Sequence, residues 1–88
     1  MLPQTNDASF NSKEQIDPLL KDAARLLFHM QTASVAVIQR VFGLGYSRAS
    51  NIMDKLYELG IVGALNGNLP RAILVWDEAS LERILENL

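Results

Sequence analysis

The tightest constraint on this chain is the run Gly43-Leu44-Gly45-Tyr46-Ser47-Arg48. It separates Val35–Phe42 from Ala49–Leu56, two segments whose apolar residues recur at helical spacing. Two glycines one residue apart, both suited to positive φ, let one helix stop and another start within a few residues. Two short helices joined in this way are the sequence form of a helix-turn-helix. Ser34 is expected to cap the first helix and Ser47 the second, which runs to about Leu59. Gly60 then ends it in a left-handed turn.

The flanking sequence supports that unit. Asp17-Pro18 offers a cap followed by proline at a first helical position. Ile16, Leu19, Leu20, Ala23, Leu26, Leu27 and Met30 follow as an apolar stripe, and that helix should end near Gln31-Thr32. In the helix-turn-helix, Val37 or Ile38 with Val41 and Phe42 should face the core, as should Ala49, Ile52, Met53, Leu56 and Leu59. Beyond Gly60, Ile61-Val62, the hairpin signal Asn66-Gly67 and the apolar run Ala72–Trp76 read as two strands around a turn. Trp76 is expected to seal the second strand onto the helices. Asp77 caps a last helix, with Leu81, Ile84, Leu85 and Leu88 apolar against Glu78, Glu82 and Glu86. The expected fold is mainly α with a small β-hairpin wing, a winged helix-turn-helix plus a C-terminal helix. Its domain covers 16–88, with the helix-turn-helix at 34–59, the wing at 61–76 and the last helix at 77–88. Residues 1–15 lack periodicity and are expected to form a flexible tail, in which Phe10 is the one large apolar residue that could dock.

Composition narrows the function classes. Eighty-eight residues suit one domain with a single core and no deep substrate cavity. The absence of cysteine excludes disulfides and thiolate metal sites, and the single histidine, His29, has no partner at a recognisable spacing. No catalytic group, metal or cofactor is therefore expected, and the phosphate loop of nucleotide-driven motors is missing. No apolar run approaches the roughly 18 residues of a membrane span, and the N-terminus lacks signal-peptide character. A cytoplasmic, non-enzymatic chain without membrane contact is the expectation.

The formal net charge is −2, but its distribution is uneven. Residues 33–75 carry Arg40, Arg48, Lys55 and Arg71 against Asp54 and Glu58, whereas 76–88 carry Arg83 against four acids. The positive charge thus falls on the helix-turn-helix and the wing. Arg48, Asn51 and Lys55, at i, i+3 and i+7, share the helix face opposite the apolar one. The plain alternative is a solvated surface; the glycine turn and the wing favour a face that meets double-stranded DNA. There Arg48 can fork onto guanine, while Ser47 and Asn51 reach base edges or phosphate. Lys55 and Arg40 suit phosphate contacts. Tyr46 either packs its ring against Phe42 or offers its hydroxyl to a phosphate. Asn66, Asn68 and Arg71 belong to the wing, the two asparagines equally explained by turn conformation.

The order of these residues also resembles a known family. Asp17-Pro18-Leu19, Ala33-Ser34-Val35, Gln39-Arg40-Val41-Phe42, Gly45-Tyr46-Ser47-Arg48-Ala49, Gly60-Ile61-Val62-Gly63 and Gly67-Asn68-Leu69-Pro70-Arg71 are similar to the C-terminal gamma domain of the FtsK/SpoIIIE DNA translocases. The resemblance spans about residues 17–75. It implies a winged helix that binds short G-rich sequences in the bacterial chromosome, steers a translocase motor and, in some members, contacts a site-specific recombinase. Ser47, Ser50 and Asn51 replace the family's usual Asn, Ala and Arg, which leaves the target sequence open because asparagine suits adenine and arginine guanine. A second reading, motivated by the acidic balance, is a winged-helix protein-interaction module. In that case the last helix serves as a homodimer or partner surface rather than as a cap over the core.

Overall fold

The computed structural model describes residues 16–88 as four helices with little strand. They are α1 (Leu20–Met30), α2 (Val35–Phe42), α3 (Tyr46–Glu58) and α4 (Glu78–Glu86). The tail expected at 1–15, with Phe10, lies outside the described residues. One core collects Leu20, Ala23 and Leu27 from α1, Val37 and Ile38 from α2, and Ala49, Ile52, Met53 and Leu56 from α3. Ile61 and Val62 follow directly on α3, and Leu81 and Leu85 of α4 complete the core. The expected cap over the core is therefore what α4 does. Its N-terminus is closed by Asp77, whose carboxylate accepts the Ser80 N–H at 2.8 Å.

Three helix ends use one device. At the end of α3, Gly60 N–H donates to the Tyr57 carbonyl and Ile61 N–H to that of Leu56, both at 3.0 Å, with Gly60 at φ +78°. This 6→1 and 5→2 pair is a Schellman turn. At the end of α2, Gly43 at φ +66° lets Leu44 N–H reach the Gln39 carbonyl at 3.0 Å. At the end of α1 the left-handed residue is Gln31, at φ +57°. The predicted stop near Gln31-Thr32 is thus observed, but with a side chain where glycine is usual.

Several local expectations are corrected. Gly45 is extended (φ −72°, ψ 168°) and is itself the N-cap of α3, so Ser47 lies inside the helix and does not cap it. Ser34 is the N-cap of α2, without a side-chain bond. Asp17 and Pro18 precede α1 rather than open it: the Asp17 carboxylate accepts the Leu19 N–H at 2.9 Å in a turn that delays the helix to Leu20. Met30 and Val41, expected on the core faces of α1 and α2, sit in the last turns of those helices. Both are about half exposed. Trp76 is 94% exposed, against the expectation of a buried seal. From 71 to 76 exposure alternates, with Ile73 and Val75 facing the core. Trp76 falls on the outward parity of an extended segment.

Residues 61–74 make isolated antiparallel bridges, Val62 with Ile73 and Asn66 with Leu69, and Ala33 before α2 bridges to Arg71. Arg71 N–H donates to the Ala33 carbonyl at 3.0 Å, Gly63 N–H to Ala72 at 2.9 Å and Leu74 N–H to Ile61 at 2.9 Å. The stretch 71–74 therefore lies between Ala33 and 61–63. The tip turns through Gly67 (φ +61°) and Asn68, with Leu69 N–H donating to the Asn66 carbonyl at 3.0 Å. Positive φ at the first central residue only is the type II′ pattern, so the central pair is Gly67-Asn68 and not Asn66-Gly67.

The two glycines of the α2–α3 joint should respond differently to a side chain. A Cβ built on either meets nothing within 4 Å, so conformation alone decides. Gly43→Ala is expected to lower unfolding free energy by about 1–2 kcal/mol. Gly45→Ala avoids the left-handed penalty and loses only the N-cap preference for glycine over alanine, so it is expected to cost less, at most about 1 kcal/mol. Urea unfolding of the two variants checks the difference, and equal losses would contradict it.

Candidate nucleic-acid interface

The exposed face of α3 follows from the burial of the other one. Ala49, Ile52, Met53 and Leu56 are at most 1% exposed, which fixes the rotation of the helix. At about 100° per residue, Arg48, Asn51 and Lys55 then lie within about 60° of one another on the outer arc. Arg48 and Asn51 are exposed, whereas Lys55 is half-buried. Ser47 is exposed in the first turn beside them. Tyr46, the first residue of α3, is 65% exposed, so it stands outside the core rather than packed into it. The N-terminus of α3 has no side-chain cap. Its first-turn N–H groups therefore stay available to an anion.

The cations of this region differ in how they are held. Arg48 forms a two-point ion pair with Asp17, Nε to Oδ2 at 2.8 Å and Nη2 to Oδ1 at 2.9 Å. Arg71 reaches Asp54 at 3.4 Å, and its guanidinium lies 5.8 Å from the centre of the Tyr57 ring. Only 9% of the Arg71 side chain is exposed, so it pins the 61–74 segment to α3. Lys55 is 3.4 Å from Glu58. Arg40, on the outer side of α2, has no ion-pair partner among the described residues. Asn66 and Asn68 are exposed at the tip between Leu65 and Leu69, which are 76% and 65% exposed. Sequence reasoning missed the partners Asp17 and Tyr57, because the pair Arg48–Asp17 spans 31 positions and has no local signature. It also gave the exposed leucines of this tip, Leu65 and Leu69, no role.

Among the described residues no group of acids and histidine could hold a metal ion, and no helix is long and apolar enough to cross a membrane. The concavities are open. One lies between the start of α2 and the tip, lined by Ser34, Val35, Leu65, Asn68 and Leu69.

Residues 14–76 match the family model described as the Ftsk gamma domain. The chain belongs to the FtsK gamma domain family. The gamma domain match takes in α1, α2, α3 and the bridged segment, and leaves α4 outside it. Relatives include a DNA translocase FtsK of Chlorobaculum tepidum, 42% identical over 96 residues covering all of this chain and 12% of the relative. The DNA translocase SpoIIIE of Bacillus subtilis is 38% identical over 78 residues, covering 89% of the chain and 10% of that protein. A DNA translocase FtsK of Oceanobacillus iheyensis is 46% identical over 59 residues, covering 67% and 8%. This gamma domain chain thus spans about a tenth of the length of the relatives it matches.

The Asp17 carboxyl is held below its ordinary range, first by the hydrogen bonds from Arg48, then by the Leu19 N–H, with partial burial opposing them. A depressed folded-state value means that Asp17 adds stability above its unfolded pKa of about 3.9 and loses it as pH falls through the folded value. In Arg48→Ala the Asp17 midpoint should rise, because its strongest stabilising partner is gone. Carbon-detected NMR titration of the Asp17 carboxyl checks this; an unchanged midpoint would refute the pairing in solution.

Proposed function

We propose that this chain is a sequence-directed double-stranded DNA-binding module, a winged helix-turn-helix in which the first half of α3 reads base edges. The observation that carries this reading is the outer face of α3. It offers Ser47, Arg48, Asn51 and Lys55 to solvent on a helix whose rotation is fixed by a fully buried stripe. The uncapped N-terminus and membership in a family named for DNA translocases support it. The bridges across 61–74 support taking residues 61–76 as a wing. Arg48 takes guanine, Asn51 and Ser47 a neighbouring base edge or phosphate, and Arg40, Lys55 and the Tyr46 hydroxyl the backbone. Asn66 and Asn68 meet the backbone from the wing tip. Arg71 holds the wing to α3 and reaches a phosphate only with its small exposed part. By the same family relation, the module directs a translocase motor on bacterial chromosomal DNA and has no motor activity of its own. A site-specific recombinase is a further partner implied by the sequence resemblance.

Selection from random duplex DNA should enrich a motif for the full chain. Arg48→Ala should then weaken binding to that motif about tenfold or more. Fluorescence anisotropy giving unaltered affinity and preference would sink the assignment. Arg40→Ala should weaken binding to all sequences alike and reduce the steepness of its salt dependence by about 0.9.

A second reading, contact with protein, rests on Trp76. This residue, 94% exposed, lines an open groove with Gln31, Ile73, Leu74 and Val75. If the face is a homodimer surface, sedimentation should detect dimers of the unaltered chain that Trp76→Ala abolishes. As Trp76 is the single tryptophan, its emission should also shift to the blue as concentration rises. A monomer with constant emission at every concentration removes the homodimer.

A further inference from the structure

The contact between Arg48 and Asp17 admits two opposite readings. A carboxylate beside a DNA-reading arginine can compete with DNA for the guanidinium, or it can aim the guanidinium at the DNA. The geometry separates them. Asp17 engages Nε and one Nη2 hydrogen, the side-on edge of the guanidinium plane, at 2.8 and 2.9 Å. An arginine has five N–H donors in a rigid plane, so this leaves both Nη1 hydrogens and the second Nη2 hydrogen. One Nη1 hydrogen and the second Nη2 hydrogen lie along the end-on edge, which can present a parallel pair to guanine O6 and N7. The carboxylate therefore occupies the edge that base reading does not need.

Asp17 is also built into the fold. Its Oδ1 accepts the Leu19 N–H at 2.9 Å, and Ile16 and Leu19 on either side pack against the core. The Asp17 side chain is 23% exposed, whereas that of Arg48 is 49% exposed. The carboxylate is thus an anchored platform and the guanidinium the part that faces outward. Arg48 has no other partner among the described residues.

We infer that Asp17 is a positioning residue for base recognition: it locks the Arg48 guanidinium side-on and presents its end-on edge to guanine. This rests on the reading of α3 as the base-contacting helix. Preorganising a long, flexible side chain removes an ordering loss that binding would otherwise carry. The gain falls only on sequences with guanine at the matching position, so Asp17 acts on discrimination and not on general affinity. A bare negative charge near DNA would do the reverse, weakening every complex alike.

The test uses the full chain, the duplex it enriches from a random pool and a scrambled duplex of the same composition. Asp17→Asn keeps Oδ1 for the Leu19 N–H and removes the charge, and thermal melting verifies that it folds. The ratio of affinities for the two duplexes is expected to fall about tenfold, with scrambled-duplex affinity unchanged or slightly higher. Replacing guanine by 7-deazaguanine in the enriched duplex should reduce the affinity of the unaltered chain and have little effect on Asp17→Asn. Arg48→Lys should lose the same ratio, and adding Asp17→Asn to it should change nothing further. Equal tightening on both duplexes would make Asp17 a competing charge and overturn the inference; so would an unchanged ratio. A second measurement needs no variant: the Arg48 Nε–H resonance should stay exchange-protected when the enriched duplex is added, and its loss of protection would also overturn the inference. If the unaltered chain enriches no sequence, or Arg48→Lys keeps the full ratio, the base-reading role of α3 fails and this inference with it.

Discussion

The rest of the molecule depends on the burial of one stripe of α3. Ala49, Ile52, Met53 and Leu56, spaced i, i+3, i+4 and i+7, lie in the middle of the core. Full burial of the three larger side chains contributes about 1.5–3 kcal/mol each. Rotating α3 would expose all of them, so the helix has one available orientation. Its outer arc is fixed by the same energy. The α2–α3 joint sets where the helix starts and the Schellman turn at Gly60 where it ends, delivering Ile61 and Val62 straight into the core.

Upon that frame three of the five arginines meet carboxylates from other elements. Arg25 of α1 forks onto Glu82 of α4, Arg48 of α3 onto Asp17 ahead of α1, and Arg71 leans on Asp54 of α3. Exposed pairs of this kind contribute little to stability, typically about 0–1 kcal/mol. In the two-point pairs of Arg25 and Arg48 the effect is geometric, since such a contact fixes the plane of the guanidinium. Each pair cancels one charge of either sign. Glu82 is occupied by Arg25, which holds its carboxyl below the ordinary range, and Asp77 is a helix cap. These acids serve the fold, so a net charge of −2 does not speak against an anionic ligand at α3.

The four helices were legible in the sequence because each carries an apolar stripe, and some of their ends are marked by local chemistry. The end of α2 at Gly43, the end of α3 at Gly60 and the cap Asp77 stand where local chemistry requires them. What could not be read is whatever depends on parity or on distant partners. Gly43 and Gly45 look alike in sequence, yet one is left-handed and the other extended. Ala72–Trp76 reads as a uniformly apolar run, and only the bridge of Ile73 to Val62 decides that Trp76 points outward. For the candidate site, the residues on α3 followed from periodicity alone. The environments of Arg48 and Arg71 did not, because Asp17 and Asp54 reach them across 31 and 17 positions.

The segment 61–74 bears on how such a surface would discriminate. Residues 61–70 carry no charge, and Arg71 is withdrawn between Tyr57 and Asp54. The tip therefore presents Leu65, Asn66, Asn68 and Leu69, which supply shape and hydrogen bonds but displace no counterions. On the DNA-binding reading, Arg40, Arg48 and Lys55 would remain as the principal cations, fewer than the roughly six to ten phosphate contacts of steeply salt-dependent binders. Non-specific affinity is almost wholly electrostatic, so a surface this sparingly charged would hold random DNA weakly. Contacts at the first turn of α3 would then make up a larger share of the total. An interface of this kind gains selectivity by keeping its background low, which gives the exact placement of a single guanidinium a weight it would not have on a strongly basic surface.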